Sequence, residues 1–136
     1  MPINILCIGD IVGKPGRLVV QEVLPKLIAE RQIDFVVANA ENAAGGSGLT
    51  GPIFEKILRA GVDVCTMGDH TYRKREVLPL LEASERLIRP ANFPPTAGGK
   101  GLTIGTSRSG VTVAVMNVMG RLHMNPPMGY PFRTVD

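Results

Sequence analysis

Three short apolar runs in this chain end on polar side chains suited to holding a cation. Asn4-Ile-Leu-Cys-Ile-Gly-Asp10 ends on Asp10. Ile33-Asp-Phe-Val-Val-Ala38 leads into Asn39-Ala-Glu-Asn-Ala-Ala-Gly-Gly46. Val62-Asp-Val-Cys-Thr-Met-Gly-Asp-His70 ends on Asp69 and His70. Apolar, β-branched runs of this length read as buried strands. Open α/β sheets gather their ligands at the carboxyl ends of their strands. Three strands finished in this way therefore predict one convergent site.

The segments between the runs carry helical periodicity. A helix is expected from about Pro15 to Arg31, with Pro15 in the first turn, where a missing N–H costs nothing. Its apolar stripe is read as Leu18, Val19, Val23, Leu27 and Ile28, and Pro25 is expected to kink it or shift its boundary. A second helix follows Thr50, the candidate N-cap, with Ile53, Phe54, Ile57 and Leu58 inward and Gly61 beyond its end. A third spans about Arg73–Ala83, with Val77, Leu80 and Leu81 buried. The strands are placed at 3–9, 33–38 and 62–67. This βαβαβα order predicts a parallel sheet covered by helices. Beyond it, Arg86–Arg89 is a short strand candidate. Leu102–Thr106 and Gly110–Val118 read as an antiparallel hairpin. From Met119 the chain is rich in Gly, Pro and Met and offers no closing element.

Composition narrows the function classes. The 136 residues make one domain, 1–136. With 44% hydrophobic and 20% charged residues the chain is of ordinary globular type. At 4% aromatic residues and no Trp, few rings are on offer for bases, which argues against a single-strand stacking platform. The net charge of +3 favours an anionic ligand, but no basic run tracks a duplex backbone. Cys7 and Cys65 both fall in expected strands and read as small core residues of a reducing compartment. No apolar stretch approaches the roughly 20 residues that span a bilayer. The expectation is a cytoplasmic protein with no signal peptide and no membrane partner.

Gly9-x-x-x-Gly13-Lys14 imitates a phosphate-binding P-loop but has one residue too few between the glycines. Pro15 follows the Lys and offers neither N–H nor hydroxyl. A nucleoside triphosphate site is rejected, and no Gly-x-Gly-x-x-Gly supports a dinucleotide in the first turn. Asp10 alone reads equally as a turn residue or as a ligand. Glu41 and Asn42 in a glycine-rich turn are harder to assign to structure, because Glu is a poor turn former and a carboxylate beside a carboxamide suits a hard cation. His70 alone would be a structural histidine; its place beside Asp69 at a strand end favours function. Asp10, Glu41 and Asp69 would then ligate one or two divalent cations, with His70 protonating a leaving oxygen.

Ile8-Gly-Asp-Ile-Val-Gly-Lys-Pro-Gly-Arg17, Asn39-Ala-Glu-Asn-Ala-Ala-Gly-Gly46, Thr66-Met-Gly-Asp-His-Thr71, Arg89-Pro-Ala-Asn92 and Asn117-Val-Met-Gly-Arg121 together resemble the YmdB-like bacterial metallophosphoesterases of the calcineurin-like superfamily. The resemblance runs the length of the chain, in order. It implies the N-terminal half of that α/β fold plus a hairpin, with the second half missing. It implies a phosphodiesterase similar to enzymes acting on 2′,3′-cyclic nucleotides, with two divalent metals, iron or manganese, and magnesium as a further option. By that resemblance Asp10 binds one metal, Glu41 bridges, Asn42 completes the first site, Asp69 binds the second, and His70 donates the proton by which a metal-activated hydroxide displaces the leaving group.

Two departures stand out. Asp69 and Tyr72 occupy places where the family has Asn and Trp; Asp69 keeps an oxygen ligand but adds a charge and loses an N–H₂ donor. The family is also about twice this length, and its second half carries the histidines that complete both metal sites. His123 matches no ligand and reads as a surface histidine. Without a second layer, apolar sheet surface and an unpaired edge are expected to be exposed, favouring a homo-oligomer. The alternative to an enzyme is a non-catalytic phosphate- or nucleotide-binding module, or an inactive fragment.

Overall fold

The computed structural model describes residues 2–124 and 128–136. The order is β1 (Ile5–Ile8), α1 (Gly13–Arg31), β2 (Phe35–Asn39), α2 (Gly51–Arg59), β3 (Val64–Thr66), α3 (Val77–Ala83) and β4 (Leu87–Ile88). The hairpin β5 (Leu102–Thr106) and β6 (Thr112–Met116) and a five-residue α4 (Pro131–Val135) follow. The first four strands form one parallel sheet in the order β1-β2-β3-β4. β5 and β6 pair antiparallel, as the hairpin reading expects. The expected α/β architecture is present; β1, β3 and β6 are shorter than expected at both ends, β2 is shifted to end at Asn39, and β5 has the expected bounds.

One face of the sheet is covered by helices. Val20 and Leu24 of α1, Phe54 and Ile57 of α2, and Val77 and Leu81 of α3 are buried with Val36, Ala38 and Cys65. Each such large side chain contributes about 1.5–3 kcal/mol when fully buried. The other face meets the hairpin, where Val113 and Val115 pack on Phe35, Val64 and Ile88.

The stripe assigned to α1 is corrected. Leu18, Val19 and Val23 are 43%, 60% and 50% exposed. The inner face is Val20, Leu24 and Ile28, which recurs every four residues. The helix runs through Pro25 unbroken from Gly13 to Arg31, so its boundary is not shifted there. The third helix starts at Val77 rather than Arg73. Pro79 has no N–H to give the carbonyl of Arg75, so it fits only in a first turn. Thr50 holds the N-cap position of α2, but its side chain makes no capping bond.

Cys7 is also corrected. It is exposed, while Cys65 is buried and its thiol is pushed up to about 12 by loss of water. The difference follows from sheet order. Among the described residues, β1 is an edge strand, paired only with β2. Ile5 and Cys7 stand in register with Phe35 and Val37 on the hairpin face. The hairpin packs against Phe35 and Val37 but leaves Ile5 47% exposed. Leu102 and Ile104 are exposed on β5 as well, at 44% and 66%. The expected unpaired edge and bare apolar surface are thus present.

Candidate metal centre

Chain segments at the carboxyl ends of β1, β2 and β3 meet around one point. Ile11 is buried, and its N–H donates to the carbonyl of Asn39 at 3.0 Å, which fixes Asp10 beside the β2 exit. The following loop is anchored by its small apolar residues. Ala40, Ala43 and Leu49 are fully buried, so Glu41 and Asn42 are left to face outward. The loop closes on itself through Gly46 N–H to Asn42 O at 3.0 Å and Ala44 N–H to Gly48 O at 2.9 Å. Gly45, Gly46 and Gly48 adopt φ of 67°, 90° and 86°, a region that costs other residues about 1 kcal/mol or more.

At the β3 exit, Thr71 is buried and its hydroxyl donates to the Gly68 carbonyl at 2.5 Å. This folds Gly68, Asp69 and His70 into a tight turn above Glu41. The His70 N–H donates to Glu41 Oε2 at 3.3 Å. Asn39 holds the other side of Glu41: its Nδ2 donates to Oε1 at 3.1 Å and its Oδ1 accepts from the Glu41 N–H at 2.9 Å.

A polar chain crosses the site. Asn42 Nδ2 donates to Asp10 Oδ2 at 2.7 Å. That carboxylate only accepts, so the carboxamide turns Oδ1 toward His70, whose Nδ1 lies 2.5 Å away. Nδ1 therefore carries the hydrogen, and Nε2 is the ring nitrogen facing Asp69, 3.5 Å from its Oδ2. One ligand atom each from Glu41, Asp69 and His70 lies within 4.8 Å of the others. Asp10 is outside that triplet because the Asn42 carboxamide stands between, and it joins through Asn42.

These residues suit a divalent cation. Two donors on one cation at about 2.1 Å are no more than about 4.2 Å apart, so the Glu41 and Asp69 oxygens, within 4.8 Å of each other, reach one cation with sub-ångström shifts. Among the described residues, Asp10, Glu41 and Asp69 form no ion pair with Lys or Arg; the ion pairs are His70–Asp69, Lys100–Glu85 and Arg108–Asp63. Carboxylates clustered without a compensating charge attract a cation.

The remaining motif residues hold loops. Asn92 donates to the carbonyls of Met119 and Gly129 and accepts from the Met119 N–H. Asn117 Nδ2 reaches the Met67 carbonyl at 2.5 Å, bracing the β3 exit. Arg89 donates to the carbonyls of Pro90 and Ala97. Arg121 stacks over Tyr130 at 5.9 Å. His123 is exposed. Two contributors carried no sequence signal of their own: Asn39, which clasps Glu41, and Gly68, whose missing Cβ leaves room for the Glu41 carboxylate.

The model of the family described as YmdB-like protein matches residues 6–136. The chain belongs to the YmdB-like family. A relative from Bacillus subtilis (strain 168), named 2′,3′-cyclic-nucleotide 2′-phosphodiesterase, is 43% identical over 133 residues, covering 98% of this chain and 50% of that protein. Two solved structures superpose closely on this YmdB-like chain. A hypothetical protein from Thermus thermophilus gives a TM-score of 0.89 at 39% identity, covering 97% of this chain and 50% of that one. A novel phosphatase from Mycoplasma pneumoniae gives 0.87 at 28% identity, covering 98% and 49%. The chain therefore spans about half the length of these relatives, and the parallel-sheet fold implied by the resemblance stands. Among the described residues, no helix is long and apolar enough to cross a membrane.

Proposed function

We propose that this chain carries the metal and proton-donor residues of a phosphodiesterase acting on small nucleotide phosphodiesters, 2′,3′-cyclic nucleotides being the leading class. The observation that supports it most is the polar chain Asp10–Asn42–His70–Asp69 beside Glu41, acidic and, among the described residues, paired with no Lys or Arg. The Bacillus subtilis relative's name points to the same substrate class. Asp10, Glu41, Asn42 and Asp69 would hold two divalent cations, iron or manganese or else magnesium. Such cations, when bound, neutralise phosphoryl oxygens and acidify a water molecule.

The protein's own work is orientation and proton transfer. One P–O ester bond is exchanged for a bond to water oxygen, and the leaving oxygen takes a proton. Asn42 holds the His70 Nδ1 hydrogen, so the transferable proton sits on Nε2, the atom that faces the site. Asn42 Oδ1 is already engaged by His70, so a cation that takes this oxygen competes with that hydrogen bond. The family's Asn is replaced by Asp69, which puts a carboxylate oxygen 3.5 Å from Nε2.

His70→Ala is expected to keep manganese binding and lose about 10²–10⁴ in turnover of bis(p-nitrophenyl) phosphate. Unchanged turnover would remove the donor role. The rival reading, nucleotide binding without hydrolysis, is favoured by the short donor set, in which Asp10, Glu41, Asn42 and Asp69 offer oxygen alone. Nucleotide binding by a metal-loaded protein that hydrolyses nothing would establish it.

Self-association forms part of the same proposal. The bare β1 edge with Ile5 and Cys7, and the exposed Leu102 and Ile104, are surfaces that seek a partner. Size-exclusion chromatography with light scattering is expected to give a mass of two or more chains. A monomer at every concentration would count against it.

A further inference from the structure

The basic residues scattered in the sequence are brought together by the packing of α1 against α2. Two adjoining recesses of about 320 and 130 Å³ lie between these helices. Gln21 and Lys56 line both. Lys14 and Arg17 wall one and Arg59 the other, and no carboxylate lines either. Lys14–Arg17 and Lys56–Arg59 are each spaced three apart, which puts both members of a pair on one helix face. Among the described residues, none of the four has a carboxylate within ion-pair distance. The first turn of α1 carries no acidic residue, so its positive dipole end adds to Lys14.

We infer that this groove holds the phosphate backbone of a single-stranded oligonucleotide. Layout argues for a strand over a membrane surface, because the cations follow the seam between two helices rather than spreading over a broad face. Length argues against a lone phosphate: from Lys14 to Pro25 the helix rises about 16 Å, enough for more than one phosphate. Position argues for a substrate extension over an acidic peptide. The Lys14 end is built on the loop that carries the candidate site: Gly13 N–H donates to Asn42 O at 2.9 Å, and the Arg17 guanidinium donates to the Ala43 carbonyl. No aromatic ring lines either recess, so the contact is with the backbone and is indifferent to base sequence. The choice of a nucleotide ligand rests on the phosphodiesterase reading; the charge and shape of the groove do not.

The test is fluorescence anisotropy of a labelled oligouridylate with the whole protein in EDTA, so that neither metal nor turnover contributes. Binding is expected to weaken with salt at a log–log slope of about −2 to −3, from about −0.7 per neutralised phosphate. Lys56→Ala/Arg59→Ala is expected to bring the slope to about −1 and to weaken binding at low salt at least about tenfold. Both residues are exposed, and a circular dichroism melt matching that of the parent protein shows that the variant folds. No binding at low salt, or the same slope and affinity in the variant, would overturn the groove. Equal affinity for polyglutamate or for anionic vesicles would overturn its assignment to nucleic acid. Hydrolysis of bis(p-nitrophenyl) phosphate reads the catalytic proposal separately: its loss with oligonucleotide binding intact would sink that proposal alone.

Discussion

Gly101→Ala is expected to destabilise the fold by about 3 kcal/mol or more and to lower the melting temperature by on the order of 10 °C. A Cβ built on Gly101 would stand 2.6 Å from the Ala91 backbone nitrogen and would overlap its Cα and Cβ. Backbone atoms cannot rotate aside as a side chain can, so the two segments would have to separate. They are stitched together: Arg89 N–H donates to Lys100 O at 2.9 Å, Asn117 N–H to Gly101 O at 3.0 Å, and Ala91 N–H to Asn117 O at 2.7 Å. Separation would strain the seam that docks the hairpin on the end of β4. It would also pull on Asn117, which braces the Met67 carbonyl next to the candidate site. Gly110→Ala is the comparison. Gly110 has φ of 84° but nothing within 4 Å of the added methyl, so only the backbone cost of about 1 kcal/mol applies. Urea melts of the two variants check the difference, and equal losses would refute the close-approach argument.

The parts legible in the sequence were those set by local pattern. Apolar runs marked the strands, and polar residues at their ends marked the loops that carry Asp10, Glu41, Asn42, Asp69 and His70 onto one end of the sheet. What local pattern cannot carry is the choice between equivalent solutions. On α1 the apolar residues allow two rows, 19/23/27 and 20/24/28, and only sheet packing selects the second. Cys7 and Cys65 sit in similar runs, and only strand order makes one an edge residue. The Asn42 bridge needs residues 32 and 28 positions apart, and the basic groove needs two helices side by side. None of these is written in a spacing.

The second large effect is expected at Gly68, and it separates room from chemistry at the site. Gly68→Ala would place a methyl 2.5 Å from the carboxyl carbon of Glu41 and in overlap with both of its oxygens. The Glu41 carboxylate is not free to yield. Asn39 Nδ2 holds Oε1 at 3.1 Å, and the His70 N–H holds Oε2 at 3.3 Å. To accept the methyl, the carboxylate has to leave both donors and swing away from Asp69 and His70. The Glu41 and Asp69 oxygens then part beyond the reach of one cation. Manganese affinity, measured by isothermal titration calorimetry, is expected to fall about 100-fold or more, and phosphodiester hydrolysis with it. Asn39→Ala releases only one of the two donors, and about a tenfold loss is expected. Folding stability in EDTA separates this from general damage: swinging one part-buried side chain outward leaves the core untouched, so the melt should shift by only about 1 kcal/mol. Manganese binding unchanged in Gly68→Ala would show that Glu41 does not hold the cation.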